Sequence, residues 1–146
     1  MIRAGRVLAA AGLVLVALVV SGSDDAVAAK AATLRTFAGH WYGHERVLTI
    51  DSTGHAVESI SDGCCDRLVA LHMTLSRPRG TTVEASASAR VTYVHIYDPT
   101  AFGPKYPPPH PGETTMLHLA NGVITESLTR INYCDMAADL RGTCGA

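Results

Sequence analysis

The chain has 146 residues, with twelve Lys and Arg against thirteen Asp and Glu and a formal net charge of −1. So even a balance, without a local cluster of Lys or Arg, excludes electrostatic capture of nucleic acid. A chain this short makes one domain with a modest core.

Arg3 and Arg6 form a short positive region, and an apolar run of fourteen residues follows over 7–20. As a helix such a run spans about 21 Å, short of the roughly 30 Å hydrocarbon core of a bilayer. It therefore reads as an export signal and not as a retained span. Ala26-Val27-Ala28 places small residues at the two positions a signal peptidase inspects, which predicts cleavage after Ala28 or one residue later. No cysteine follows the run to be acylated. The expected organisation is a signal peptide over 1–28, a flexible segment over 29–36 and a secreted β domain over 37–146. The product is expected in the extracellular space or cell envelope, as a monomer with no membrane attachment after cleavage.

Period-two alternation marks most of the mature chain as strand. Residues 40–51 carry Trp41, Tyr42, Val47, Leu48 and Ile50, and Ser52-Thr53-Gly54 supplies a turn to a hairpin partner over 55–61. A strand is expected over 66–76, ended by Arg77-Pro78-Arg79-Gly80, and a long one over 83–98 that can bend near Ser88. The proline-rich stretch 103–112 fits neither strand nor helix and reads as a stiff loop, of a kind that aromatic grooves on partner proteins can capture. Late strands over 115–119 and 123–131 are joined through Asn121-Gly122, a strong hairpin signal. No helix longer than one turn is expected. The fold class is all-β: a small antiparallel β-barrel or sandwich of six to eight strands, stabilised by two disulfides.

Those disulfides follow from export, which leaves few thiols reduced. Cys64 and Cys65 are adjacent, and Cys134 and Cys144 lie far downstream. Bridging neighbours closes a strained ring, so each of Cys64 and Cys65 is expected to reach one distant partner. Loops of that length are worth on the order of 4 kcal/mol each in the chain-entropy model.

Candidate binding residues come from two alternate-position stripes, His40-Tyr42-His44 and Tyr93-His95-Tyr97. Trp41 with Val47, and Val94 with Ile96, occupy the opposite faces, so both stripes are expected to face away from the core. Side by side, the two strands would gather three histidines and three tyrosines on one surface. Aromatic faces with polar tips suit a cell-envelope glycan or a protein partner, and the histidines would make binding sensitive to pH. His40 and His44 do not read as a metal pair, because four residues along a strand separate them by about 13 Å. No metal or cofactor is implied. No Gly-x-Ser-x-Gly elbow is present, and Asp51, Glu58, Asp62 and Asp66 are scattered in positions that read as turns, so no catalytic residue is assigned and no enzymatic activity is expected.

Phe37-Ala38-Gly39-His40-Trp41-Tyr42 resembles the Gly-x-Trp entry to the first strand of calycins, the lipocalin and avidin group of up-and-down barrels. The resemblance implies a close turn at Gly39, a Trp41 that plugs one end, and an alternative function as carrier of a small apolar ligand behind Trp41. A small secreted hydrolase is the remaining alternative. Across most of the domain the chain is also similar to small secreted proteins of high-GC Gram-positive bacteria. The features that carry this likeness are Gly39-His40-Trp41-Tyr42-Gly43-His44, Asp62-Gly63-Cys64-Cys65-Asp66, Thr125-Glu126-Ser127-Leu128-Thr129 with Asn132-Tyr133-Cys134, and Gly142-Thr143-Cys144-Gly145. It implies export and disulfides, and brings no reaction, substrate or cofactor with it.

Overall fold

The computed structural model describes residues 29–63, 66–103, 107–127 and 131–144. Eight antiparallel strands close on themselves in sequence order: β1 (Gly39–Gly43), β2 (Arg46–Ile50), β3 (His55–Ser61), β4 (Arg67–Gly80), β5 (Glu84–Ile96), β6 (Thr114–Ala120), β7 (Val123–Glu126) and β8 (Asn132–Cys134). The last contact needed for closure is β8 against β1, where Cys134 pairs with Tyr42. Of the barrel and sandwich alternatives, the chain adopts the barrel. A barrel of this strand number has an interior just wide enough for packed side chains or one small ligand.

Several expected boundaries move. Residues 40–51 are not one strand: the chain reverses at His44 and Glu45, with Glu45 at φ 57°, so β1 and β2 form a tight hairpin. Residues 77–80 do not end β4, whose pairing with β5 continues past an irregularity between Ser76 and Arg79, and the turn falls at residues 81–83. Of the strand expected over 123–131, β7 takes Val123–Glu126, and residues 128–130 lie outside the described residues. The Asn121-Gly122 turn is where the sequence puts it, with both residues at positive φ (54° and 77°) as a type I′ hairpin requires. A short helix, α1 (Met136–Leu140), follows β8 and exceeds the single turn expected. Upstream of residue 37 the chain is already part of the fold: Ala31 bridges to Thr81, and Leu34–Phe37 form a 3-10 helix.

A register shift in the β4–β5 pair decides what faces where. Met73 pairs with Val91 and His72 with Tyr93, so Thr92 is an extra residue, a bulge whose Oγ1 donates to the His72 carbonyl at 3.0 Å. Before it, Ala85, Ala87, Ala89 and Val91 are buried. After it the parity flips, so Val94 packs against the core while Tyr93, His95 and Tyr97 are exposed.

The interior is filled unequally. Toward one end, Phe37, Trp41, Leu48, Ile50, Leu75 and Leu119 belong to one continuous core with the β5 alanines. Trp41 Nε1 donates to the Phe37 carbonyl at 2.9 Å, which satisfies the buried indole and ties the 3-10 helix to the barrel.

The disulfide connectivity differs from expectation. Cys134 bonds to Cys144, with Cα atoms 5.8 Å apart, because α1 turns the C-terminal segment back onto β8. Neither distant cysteine is therefore available to Cys64 or Cys65, which lie outside the described residues.

Candidate functional site

The two aromatic stripes do not meet. The neighbours of β1 are β2 and β8, and those of β5 are β4 and β6, so the stripes lie on separate parts of the barrel wall. His40 Nδ1 is 3.1 Å from Thr49 Oγ1 on the adjacent strand, Tyr42 is half-buried between β2 and β8, and His44 sits in the hairpin turn 3.7 Å from the Glu45 carboxylate. The β5 stripe instead gains neighbours from β4. His72 and Tyr93 rings are 5.5 Å apart, Tyr93 and His95 are 6.4 Å apart, and His95 meets Tyr97 edge-on at 4.3 Å. Arg67 completes the row, 5.5 Å from the Tyr97 ring centre and donating to its hydroxyl at 3.3 Å. Among the described residues, no group of three or more His, Cys, Asp or Glu is placed to hold a metal ion.

A second site lies inside the barrel, away from Trp41, where the carrier alternative put its ligand, and none of its lining residues was singled out from sequence as a ligand site. A cavity of about 450 Å³ opens at one end, a volume within the range of small-molecule sites. Its walls are largely apolar: Val69, Leu71 and Met73 from β4, Val91 from β5, and Ile60 from β3. The loop after β5 supplies Phe102, Pro107 and Pro109 to the same cavity. That loop is fastened at both ends, by the Tyr97 and Asp98 amides on the Leu68 carbonyl and by reciprocal bonds of Gly112 and Glu113 with Val91. Trp41 is not among the lining residues, so a ligand here would not lie against the ring expected to shelter it.

Charged groups also line this cavity. Arg46, Leu48 and Ile50 alternate along β2, and Ala56, Glu58 and Ile60 along β3, so Arg46 and Glu58 point inward with their apolar strand mates. Glu58 is thus a buried strand residue, not the turn carboxylate expected. Arg46 Nη1 donates to Glu58 Oε1 at 2.9 Å, and the Tyr133 hydroxyl, from β8, donates to the same oxygen at 2.6 Å. Gly43 makes room for the tyrosine: a Cβ there would stand 3.2 Å from the Tyr133 ring and 3.0 Å from the Asn132 carbonyl.

The trio is electrostatically self-consistent. Burial, the largest single influence, weakens the Arg46 charge, but the contacts with Glu58 and Tyr133 together hold the guanidinium above its ordinary pKa. Burial first, and the adjacent carboxylate second, push the Tyr133 phenol far above its usual value, so it stays protonated and donates. Nearer the mouth, Thr115 Oγ1 donates to the buried Glu126 carboxylate. No family model matches this chain, and neither a curated protein nor a solved structure gives a match.

Proposed function

We propose that this protein is a secreted, non-enzymatic barrel that binds and carries a small, mainly apolar molecule in its open end. The observation that carries the reading is the uneven filling of the barrel: a packed core around Trp41 and Phe37, and an apolar-walled cavity of about 450 Å³ elsewhere in the same interior. Empty apolar space forgoes dispersion contacts along its walls, and a ligand of matching shape restores them. Titration with the neutral apolar dye Nile red tests it. Saturable fluorescence enhancement is expected, and Ile60→Trp, which fills the half-buried mouth, should abolish it. Absence of saturable binding, or an unchanged Ile60→Trp titration, rejects the carrier reading.

A second reading keeps the outer wall as a contact surface for a cell-envelope glycan or a protein partner. It is supported by the continuous row Arg67, Tyr97, His95, Tyr93 and His72, whose tilted and edge-on rings end in polar atoms. Tyr93→Ser with Tyr97→Ser should release the protein from envelope fractions, and unchanged retention sinks this reading. Export itself is tested by the mass of the mature protein, expected to begin near residue 29. The same mass, compared before and after reduction, distinguishes one disulfide from two. With Cys134 and Cys144 joined, a second intrachain bridge can only link Cys64 to Cys65.

A further inference from the structure

We infer that the ligand of the cavity has an uncharged head that both donates and accepts a hydrogen bond, such as a hydroxyl or primary carboxamide on an apolar body, seated against the Glu58–Arg46 pair. The inference rests on the reading of the barrel as a small-molecule carrier and specifies what that carrier selects.

Glu58 carries it. Its side chain is only 7% exposed, and both of its hydrogen bonds, from Arg46 and Tyr133, fall on Oε1. Among the described residues no donor reaches Oε2, yet no fully buried side-chain oxygen or nitrogen lacks a partner. Since Glu58 lines the cavity, Oε2 opens into it as an acceptor without a protein donor. Arg46 lines the same cavity and keeps 23% of its side chain exposed. A guanidinium has five N–H donors, and Glu58 and Tyr133 do not use them all. The floor thus presents one acceptor and adjacent donors, a pattern that a hydroxyl or carboxamide answers with both of its functions.

The pair also discriminates against ions. Arg46 and Glu58 neutralise each other at 2.9 Å, so a charged head meets one attractive and one repulsive group at similar range. A carboxylate additionally faces Glu113 on the wall. An ammonium gains from that group but must sit beside the Arg46 guanidinium at the floor. Apolar walls such as Leu71, Met73 and Val91 offer a charge nothing in place of its lost water.

The test is a head-group series on one chain: decanol, decanamide, decanoate and decylammonium, each displacing Nile red from the wild-type protein at neutral pH. Decanol and decanamide should bind at least tenfold more tightly than either ion. Glu58→Gln keeps the shape but leaves Arg46 without its counter-charge, and should tighten decanoate at least tenfold relative to decanol. An ion that matches decanol on the wild type overturns the inference, as does an unchanged order in Glu58→Gln. If the Glu58→Gln variant fails to fold, the wild-type order alone decides. If Nile red binds and no decyl compound displaces it, the head assignment fails and the carrier reading stands; if Nile red itself does not bind, both fall.

Discussion

Removal of one oxygen atom probes whether the buried trio holds the barrel together. Tyr133→Phe deletes the hydroxyl that donates to Glu58 Oε1 at 2.6 Å, at a residue 1% exposed, and leaves the ring in place against Gly43. Because the ring volume is kept, no cavity penalty enters, and the change isolates a hydrogen bond to a buried charge. Such bonds contribute about 1.5–3 kcal/mol. Glu58 retains Arg46, so the carboxylate is not stranded, and the expected loss is about 2 kcal/mol. For a domain of this size that lowers Tm by roughly 6–10 °C. Urea and thermal unfolding followed by circular dichroism at neutral pH, with disulfides intact, read it directly. Pairing the change with Glu58→Gln in a double-mutant cycle should return a coupling of about 1–2 kcal/mol. A loss below about 0.5 kcal/mol, or no coupling, would falsify the placement of the tyrosine hydroxyl on the buried Glu58 Oε1.

Three further outcomes are expected. Non-reducing peptide mapping should recover Cys134 joined to Cys144, and replacing both with Ala should cost about 3 kcal/mol, the chain-entropy value for so short a loop; a crosslink from Cys134 to Cys64 or Cys65 refutes the connectivity. Gly122→Ala should destabilise by roughly 2 kcal/mol, since the residue sits at φ 77° and its Cβ would stand 2.5 Å from Asp135 Oδ2; a neutral result in urea unfolding contradicts the turn geometry. The Thr53 hydroxyl, and the amides of Thr53 and His55, hold the Asp51 carboxyl down to about 2. A depressed carboxylate stabilises the fold above its unfolded value and loses that contribution as pH falls. The urea midpoint of wild type should thus decline between about pH 4 and pH 2 more steeply than that of Asp51→Asn, and parallel curves exclude the effect.

Strand periodicity made most of the wall legible from sequence, because alternation on a half-buried sheet is dictated by burial alone. The Asn121-Gly122 turn was equally plain, since few other dipeptides tolerate two positive φ values. The β1–β2 reversal was not, because His44 and Glu45 are not turn-forming residues and closure of the barrel imposes their conformation. The site was hidden for a related reason. Arg46 and Glu58 each interrupt an inward apolar stripe, Arg46-Leu48-Ile50 and Ala56-Glu58-Ile60, and a lone charge in such a stripe reads as solvated. Opposite charges at diagonally adjacent inward positions of two successive strands, Arg46 opposite Ile60 and Glu58 opposite Leu48, were the available signal. Tyr133 gave none, because its partner Glu58 is 75 residues away in sequence. The cysteine pairing failed on topology: α1 makes a local crosslink possible where sequence spacing favoured long ones.

The surplus residue at Thr92 gives β5 a spare link. Elsewhere in a strand, loss of one residue exchanges lining and coat for everything downstream. Thr92 is a residue that β4 leaves unpaired, so its own loss would restore a regular ladder and keep Tyr93, His95 and Tyr97 outside and Val94 inside. A codon lost earlier, at Ala87 for instance, would misaddress only the span up to Val91, because the slack at the bulge can absorb the shift before the aromatic row begins. The outer row is in that sense insulated from length errors in the first half of its own strand, and β5 has a place where it can shorten without rewriting what the barrel shows to the outside.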